Sequence, residues 1–567
     1  MRKIYAFAGV CALACTIATA IPAKAQDWPM FGQNVSNTAS TSGTDISNAT
    51  VYKLKPKWAF TTAGDISARA AVVNKVAYFP DWAGNLYAVN TGTGKLVWSH
   101  QFSDYSYKVS GVTVSLKPGT VSRNTPTISN GVLYIGTQFS NDGASAGVLL
   151  AINANNGNLL WATQPVPYGQ YTNPFPVITA APVVANGTVF VGMTSWEEAA
   201  AGYVPGYPCC FIRGSVVALD ANTGTVKWQA SMAPAGYSGA NIWGSNPVVD
   251  TARNTLYVST GDNYSHPAPD APSALNGETF SQCLADTANG GSEPACLAPN
   301  DYVDAIVALD MTTGVVKWAK RFLYWNQFYA TDGSDDYNGG CFAVPKTSAC
   351  PTPPTGPDYD FGSGANEITY TDGNGKTHTI LGAGQKSGIY YALDPDTGST
   401  LWQTQVGPGS ALGGMEWGSA SDGKRIYVAI ANFYGLPYAA GSAGSWSALD
   451  PATGNILWQT ADPNGAIDLG PTTVANGVVY AGSMGAPSFV SGTGSTTSPT
   501  MFALDAASGK ILWSFPAGSS VISGAAIVQD TVYWGAGYAH LPLPGFSGVG
   551  TDGLVNNKFY AFTQNGT

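Results

Sequence analysis

One short phrase occurs seven times along this chain, and it constrains the fold more than any other feature. Each copy has a small residue, an aliphatic residue and an Asp or Asn, with a Gly four residues later and a Trp four residues after that. The seven copies end at Trp98, Trp161, Trp228, Trp318, Trp402, Trp458 and Trp513. Internal repetition at this scale predicts a repeat architecture rather than several unrelated domains.

The residue types in the phrase predict a strand, a tight turn and a returning strand. Asp or Asn bonds to its own backbone in such turns, and Gly adopts the positive φ angle that they require. A second hairpin precedes most copies, and its Asn-Gly turn is a strong hairpin signal, as at Asn186-Gly187. Each repeat therefore predicts about four antiparallel strands, the content of one propeller blade. We expect the Trp to pack between neighbouring blades.

The two ends of the chain carry the two halves of an eighth copy. Residues 558–562 hold the first half without a Trp, and residues 54–58 hold the second half, which ends at Trp58. Pairing of these halves would remove the open edge of a linear array. The sequence thus predicts an all-β, eight-bladed β-propeller whose last blade is closed by N- and C-terminal strands. No run has the pattern of a long amphipathic helix.

The first 25 residues have the pattern of an export signal. Arg2 and Lys3 precede an apolar run, and Ala23-Lys24-Ala25 is a small-x-small cleavage site. We therefore expect a signal peptide at 1–25 and a single propeller at 26–567, located in the periplasm or secreted. No later stretch is long and apolar enough to span a bilayer. Removal of three basic residues with the leader changes the net charge from −10 to −13, which argues against a nucleic-acid partner.

Six cysteines remain after the leader, and an even number in an exported chain favours disulfides. Proximity along the sequence suggests the pairs Cys283–Cys296 and Cys341–Cys350. The adjacent Cys209 and Cys210 leave two possibilities, an ordinary structural role or a rigid vicinal disulfide near a site. No Cys-x-x-Cys-His motif for covalent haem is present.

Acidic residues occur in the loops of three successive repeats. Glu197 and Asp262, the latter beside Asn263, each follow a predicted strand, and the pair Asp358 and Asp360 closes a Pro-rich insertion. Carboxylates together with an amide form the ligand set that a hard cation such as calcium prefers. The pattern alone favours the alternative, solvated acids in turns. The four histidines are scattered and match no zinc spacing.

Together these motifs resemble the pyrroloquinoline quinone (PQQ) dependent alcohol dehydrogenases, and among them the polyvinyl alcohol dehydrogenases. The resemblance extends from Asp27-Trp28-Pro29 to the split repeat. It implies an eight-bladed propeller that binds PQQ and a calcium ion on the ring axis. It further implies a separate cytochrome c as electron acceptor and an alcohol, polymeric or small, as substrate.

The resemblance also implies roles for individual residues. Arg123 would pair with a PQQ carboxylate, Trp243 would form the floor under the PQQ ring, and Lys386 would face the quinone oxygens. The implied cofactor contacts are Arg123, Thr179, Thr194, Cys209, Cys210, Trp243, Lys386, Glu416 and Trp417. The implied metal ligands are Glu197, Asp262, Asn263 and Asp358. This chain departs from the family in placing its adjacent cysteines after Glu197 rather than before Arg123.

The catalytic base has two candidates. Asp358 lies 28 residues before Lys386 and Asp360 lies 26 before it, whereas the family spacing is about 27. The resemblance favours Asp358 as the general base, which leaves Asp360 as a second carboxylate. In lanthanide-using relatives that second position adds a metal ligand, so a lanthanide is the alternative to calcium. The rival hypotheses are a non-catalytic scaffold of the outer-membrane assembly type and a PQQ dehydrogenase for a small alcohol or sugar.

Overall fold

The structure, a computed structural model, describes most of the chain after the leader. The described residues are 27–138, 147–166, 176–197, 210–244, 246–264, 267–275, 277–286, 293–322, 358–410, 412–485, 498–538 and 556–567. They form eight antiparallel sheets with a core of four strands each. The innermost strands of neighbouring sheets contact one another around an axis. The predicted eight-bladed β-propeller is therefore confirmed.

Each blade runs from an innermost strand at the ring axis to an outermost strand at the rim. The strands, blade by blade and from the axis outward, are Ala71–Val73, Val76–Pro80, Asn85–Asn90 and Leu96–Gln101 in blade 1; Thr127–Ser129, Val132–Gly136, Leu149–Asn153 and Leu159–Thr163 in blade 2; Val183–Ala185, Thr188–Ser195, Ser215–Asp220 and Val226–Ser231 in blade 3; Val248–Asp250, Thr255–Ser259, Ala305–Asp310 and Val316–Arg321 in blade 4; Asn366–Thr371, Thr377–Gly384, Ile389–Leu393 and Thr400–Gln405 in blade 5; Ala420–Ser421, Ile426–Ile430, Ser445–Leu449 and Ile456–Ala461 in blade 6; Thr473–Ala475, Val478–Gly482, Thr500–Asp505 and Ile511–Pro516 in blade 7; and Ala526–Val528, Thr531–Gly535, Lys558–Gln564 and Leu54–Thr61 in blade 8.

Blade 8 closes the ring by joining the two ends of the chain. Strand Leu54–Thr61 pairs antiparallel with Lys558–Gln564, so that Leu54 stands opposite Gln564. The split repeat of the sequence thus forms one composite sheet. Blade 7 connects to it through the Trp513 indole, which donates to the carbonyl of Leu54 at 2.9 Å.

The repeated Trp side chains fasten each blade to the next. The Trp402 indole of blade 5 donates to the carbonyl of Pro451 in blade 6 at 3.0 Å. A Cβ atom added to Gly454, the repeat glycine of blade 6, would lie 2.4 Å from the Trp402 ring. The same contact between a Trp and the turn of the following blade recurs around the ring. Gly is needed at this turn because it allows the positive φ and leaves room for the indole.

The N-terminal segment, residues 28–45, makes a full circuit of the ring, and we call it the N-terminal circuit. It bonds to the first residues of blade 1 through Trp28 and Val72 and ends at blade 8, where the Asp45 amide donates to Asp530 at 2.7 Å. Between these points its carbonyls accept hydrogen bonds from the innermost strands of blades 2, 4, 5, 6 and 7, at Ile128, Val249, Glu367, Ser421 and Val474. Ser40–Thr41 adds a short parallel strand to blade 7. The circuit therefore satisfies backbone groups that the innermost edges would otherwise leave open.

The remaining elements are short and lie in insertions. They are the α-helices Phe280–Ala285 and Glu293–Cys296, the 3₁₀ helices Val51–Lys53 and Phe102–Asp104, the hairpin Ser106–Val109 with Val112–Ser115, and the strand Pro176–Val177 that pairs with the second strand of blade 3. The predicted disulfide Cys283–Cys296 joins the two α-helices, whereas Cys341 and Cys350 lie outside the described residues. Within the described part of the chain, no helix has the length and apolar character needed to cross a bilayer.

Candidate active site

Strand direction brings the candidate residues to one end of the ring. Because successive strands of a blade are antiparallel, the loop before the innermost strand and the loop between the second and third strands share an end. The loops of the first type carry Arg123, Thr179, Trp243, Asp358 and Glu416. The loops of the second type carry Glu197, Asp262, Asn263 and Lys386, with Thr194 at the end of a second strand. Side chains far apart in sequence therefore converge around the axis.

The centre of the site is a buried lysine between two aspartates. Lys386 Nζ lies 2.6 Å from Asp358 Oδ1 and 3.0 Å from Asp360 Oδ2. All three side chains are less than one-tenth exposed. Asp358 has a φ of 58°, a left-handed conformation that is costly for a residue with a Cβ atom. Such backbone strain is typical of functional positions, where the surrounding structure compensates for it.

Asp360 is held by three donors. Its Oδ1 accepts from the Asp262 backbone amide at 2.5 Å, and its Oδ2 accepts from the Trp243 indole at 3.1 Å as well as from Lys386. A Cβ atom on Gly261 would fall 2.0 Å from Asp360 Oδ1, so glycine is required beside this carboxylate. The Asp360 side chain is thereby fixed in orientation.

A group suited to a metal ion is formed by Asp262, Asp358 and Asp360. One oxygen atom from each lies within 4.8 Å of the others, and all three residues are buried. These acids are therefore not solvated turn residues, the alternative that the sequence leaves open. The geometry includes Asp360 in this group, whereas the sequence predicts it as an alternative base and, by resemblance to lanthanide-using relatives, as a possible additional metal ligand.

Two other predicted metal ligands lie in different hydrogen-bond environments. The Glu197 carboxylate accepts from the backbone amides of Phe211 and Ile212, at 2.9 and 2.6 Å. The Asn263 side chain donates to Asp301 Oδ2 at 2.8 Å. Glu197 is not in the group of three aspartates. Its assignment as a ligand stays a prediction, as does that of Asn263.

Two cations and two indoles form the floor of the site. Lys386 Nζ lies 5.1 Å from the centre of the Trp243 ring, and the Arg123 guanidinium lies 5.7 Å from it. Arg123 is also 4.6 Å from the centre of Trp417, whose ring meets Trp243 edge to face at 5.6 Å. The Thr179 hydroxyl donates to the Trp243 carbonyl at 2.8 Å and so helps to fix this residue. Cation–π contacts of this kind are attractive when both partners are desolvated.

The other predicted cofactor contacts differ in their surroundings. Glu416 is buried, and its Oε2 has no hydrogen-bond partner within the described residues. Thr194 is buried opposite Val177 in the added strand of blade 3. Cys210 is disulfide-bonded, and Cys209 lies outside the described residues.

Burial and mutual charge shift the acid–base properties of the group. Burial raises the pKa of Asp358, the adjacent Lys386 opposes that rise, and Asp360 adds to it. Burial alone would lower the pKa of Lys386, but Asp358 and Asp360 outweigh this effect and raise it well above the usual value. Burial raises the pKa of Glu416 to about 8. Lys386 is therefore charged at neutral pH. The carboxyl groups around it outnumber the positive charges that could stabilise their ionised forms.

Sequence reasoning missed two buried acids next to this group. Burial raises the pKa of Asp301 to about 7, although its hydrogen bond from Asn263 opposes the rise. Burial and the charge of Asp360 raise the pKa of Asp304 well above its usual value. Both residues stand just before the third strand of blade 4 in a run without repeat symmetry. Nothing in the local sequence distinguishes them from exposed turn acids.

The residues present fit both a planar anionic cofactor and a metal ion. Trp243 offers a flat apolar surface with Lys386 and Arg123 beside it, which suits an aromatic polycarboxylate such as PQQ. Arg123 Nε and Trp417 Nε1 are buried donors without a partner within the described residues. The three aspartates outnumber the single lysine between them, so a hard cation would compensate their excess charge.

The relatives of the chain include polyvinylalcohol dehydrogenases. The chain is 29% identical to the polyvinylalcohol dehydrogenase of Sphingopyxis sp. (strain 113P3), over 91% of this chain and 73% of that protein. It is 28% identical to the polyvinylalcohol dehydrogenase of a Pseudomonas species, over 86% of this chain and 67% of that one. The crystal structure of quinohemoprotein alcohol dehydrogenase from Comamonas testosteroni has the same fold, with a TM-score of 0.64, 18% identity and coverage of 95% of this chain and 81% of that one.

A family model agrees with this relationship. The PQQ-type repeat model described as outer membrane protein assembly factor BamB matches residues 32–320 and 442–541. The resemblance predicted from the Trp phrases and the site residues is thus confirmed. The family model matches more than half of the chain, and the chain therefore belongs to this family of PQQ-type propellers.

Proposed function

We propose that this protein is a PQQ-dependent alcohol dehydrogenase that oxidises secondary alcohol groups, with polyvinyl alcohol as the expected substrate. The observation that carries the proposal is Lys386, buried over Trp243 between Asp358 and Asp360. The names of the relatives support the assignment as an oxidoreductase. The export pattern at 1–25 supports a periplasmic or secreted location, and a separate cytochrome c is the expected electron acceptor.

The described residues supply distinct surfaces for cofactor and metal. Trp243 would support the plane of PQQ, and Arg123 and Lys386 would bind its anionic groups. Asp262, Asp358 and Asp360 would hold the cation, for which we favour calcium over a lanthanide. PQQ, when bound, supplies the quinone that accepts a hydride from the carbinol carbon.

One of the aspartates would accept the proton that the alcohol loses. Asp358 is the better candidate for general base, because Asp360 is already held by the Trp243 indole and the Asp262 amide. Asp358 would accept the hydroxyl proton of the alcohol at a carboxylate oxygen. Lys386 stays protonated beside it and stabilises negative charge that develops next to the floor. The role of Asp360 in this scheme is to orient Lys386 and Trp243.

Substitutions at these positions test the proposal. Asp358→Asn and Lys386→Ala should each lower dye-linked oxidation of a secondary alcohol by at least about a hundredfold, the scale of a lost general base. Asp310→Asn, in an exposed turn of blade 4, is the matched control and should leave turnover unchanged. Full activity in Asp358→Asn together with loss in Asp360→Asn would transfer the base assignment to Asp360.

A second candidate function is a non-catalytic scaffold, because the matching family model is described as an outer membrane assembly factor. A scaffold needs the Trp contacts between blades but not a buried lysine between two aspartates. Absence of PQQ binding and of oxidation, in a folded protein, would favour this second candidate. Oxidation restricted to small alcohols or sugars would support the assignment as an enzyme but would exclude polyvinyl alcohol as its substrate.

A further inference from the structure

A cavity on the ring axis adjoins the site and shares Arg123, Thr179 and Trp417 with it, but does not include its reacting groups. It is lined by residues that immediately precede the innermost strands, such as Arg69, Thr125, Ala181 and Gly524. Phe31 of the N-terminal circuit forms part of its wall. Lys386 and the three aspartates do not line it. The proton transfer proposed for the site therefore takes place outside this space.

Arg69 is the unusual group in this wall. Its side chain is only 1% exposed, and its guanidinium lies against Gly524, where an added Cβ atom would fall 2.0 Å from Nη2. Nη1 donates to the Phe31 carbonyl at 2.5 Å, and Nη2 donates to Thr472 O and Thr473 Oγ1 at 3.1 and 2.9 Å. Of the two N–H groups that remain, the one on Nε is buried, and this atom has no partner within the described residues. Three hydrogen bonds thus fix the guanidinium and leave the Nε–H for a ligand.

The charge of Arg69 is not balanced by the protein around it. Across the described part of the chain, no carboxylate forms an ion pair with it. Burial lowers its pKa to about 9, which leaves it positively charged at neutral pH. A buried charge without a counter-ion is costly, because the interior solvates it poorly. The rings of Trp28 and Phe31, 5.4 and 4.7 Å from the guanidinium, offset only part of that cost.

The cavity offers further donors close to the charge. Thr125 Oγ1 is buried in the wall and has no partner within the described residues. Arg123 also lines the cavity, and its Nε is likewise buried without a partner in that part of the chain. Two guanidinium groups and a hydroxyl thus share one cavity whose other walls include Ala181 and Ile522. Such a combination suits a small anion better than water or an apolar molecule.

We propose that the axial cavity is an anion site in which Arg69 binds a single negatively charged group, either a halide ion or a carboxylate. The anion neutralises the buried guanidinium and links it to the wall at Thr125. Because Arg69 also holds the Phe31 carbonyl, occupancy stabilises the N-terminal circuit against the ring. Binding of the anion does not depend on the dehydrogenase activity.

Bromide is a suitable probe for the site. Crystals of the cofactor-free protein, soaked in sodium bromide and measured at the bromine absorption edge, should show an anomalous peak within hydrogen-bond distance of Arg69 Nε. In solution, the melting temperature should rise with bromide concentration relative to sodium methanesulfonate, which is neither a halide nor a carboxylate, at equal ionic strength, since a ligand of the native state stabilises it. Absence of both the peak and the anion-specific shift would overturn the proposal.

Two variants and a control separate binding from general salt effects. Arg69→Met should abolish the peak and the anion-specific shift, and Thr125→Val, which keeps the guanidinium and is nearly isosteric, should weaken the shift. Arg253→Met is the control, because Arg253 is a partly exposed arginine already paired with Asp250 and Asp396. The control should keep the full bromide shift. If Arg69→Met fails to fold, Thr125→Val still tests the site. A bromide-dependent rise in melting temperature as large as that of the wild type would contradict the proposed contact between the anion and Thr125.

The source of the negative group is decided by repeating the experiment with PQQ present. A bromide peak that persists shows a site for a free anion. Replacement of the peak by a cofactor carboxylate at Arg69 shows that the cofactor fills the site. An empty cavity in both forms would contradict the proposal, whether or not the protein oxidises alcohols.

Discussion

The contact between a blade's Trp and the glycine of the next blade should carry measurable stability. Gly454 has a φ of 75°, and a Cβ atom there would lie 2.4 Å from Cε3 of Trp402 and 2.6 Å from Thr404 Oγ1. Gly454→Ala therefore faces both a strained backbone and a collision. The left-handed backbone costs an alanine about 1–2 kcal/mol. Overpacking against a ring that cannot move freely adds about 1–3 kcal/mol.

The chain offers a matched control for this substitution. Gly477 has a φ of 78° and lies in the hairpin turn between the first two strands of blade 7. A Cβ atom added there would have no heavy atom of the described residues within 4 Å. Gly477→Ala should therefore incur only the backbone cost of about 1–2 kcal/mol. The difference between the two variants, about 1–3 kcal/mol, isolates the Trp contact.

Urea unfolding followed by Trp fluorescence and far-UV circular dichroism measures this difference. Both variants should lower the midpoint, Gly454→Ala by the larger amount, with similar slopes of the transition. Equal midpoints for the two variants would refute the claim that the repeat Trp requires glycine at the following turn. A Gly454→Ala protein as stable as the wild type would refute the inter-blade contact itself.

Three further predictions concern charge and cross-linking. Asp468 is buried, and burial together with Asp462 raises its pKa well above the usual value. A raised carboxyl pKa contributes stability that is lost as pH rises from about 4, so the melting temperature of Asp468→Asn should increase relative to that of the wild type between pH 4 and pH 8. A difference in melting temperature that stays constant over this range would contradict the prediction. Asp360→Asn should weaken calcium binding to the metal-free protein by at least about tenfold in calorimetric titration, whereas an unchanged affinity would remove Asp360 from the metal group. Loss of the Cys283–Cys296 disulfide, which spans 13 residues, should weaken protection of that insertion by about 3 kcal/mol in hydrogen exchange, and unaltered exchange rates would show that the bond does not hold it.

The ring could be predicted from the sequence because its determinants are local and repeated. Each Asp-to-Gly turn fixes a hairpin, and each Trp contacts the next blade through the same offset, as Trp402 does at Pro451. The split repeat also predicted that its two halves, residues 54–58 and 558–562, pair with each other, as they do in blade 8. Periodic signals of this kind survive insertions, since they depend on a few residues with fixed spacing.

The candidate site was predictable only in part. The lysine and the two aspartates followed from a family resemblance, and the structure brings Lys386, Asp358 and Asp360 together. The inclusion of Asp360 with Asp262, and the burial of Asp301 and Asp304, depend on how loops of the neighbouring blades 4 and 5 pack at one end of the ring. A single sequence does not encode those distances locally, because the loops that set them have no repeat to align.

The N-terminal circuit and Arg69 were invisible to sequence reasoning for a similar reason. Residues 28–45 have no regular alternation, yet their carbonyls bind one blade after another. A run without hydrophobic periodicity predicts a loop, whatever its tertiary partners. The burial of Arg69 follows from this circuit, because Phe31 supplies both an acceptor and a ring.

Reconstitution of the mature protein with PQQ tests the central claim most directly. Cofactor-free protein would be titrated with PQQ in the presence of calcium, in parallel with a lanthanide, while PQQ absorbance and dye-linked oxidation of polyvinyl alcohol and a small secondary alcohol are measured. We predict stoichiometric PQQ binding that needs a metal ion, with alcohol oxidation appearing only in the reconstituted protein. A folded ring that binds no PQQ with either metal, and oxidises neither alcohol, would contradict the assignment as a PQQ-dependent dehydrogenase.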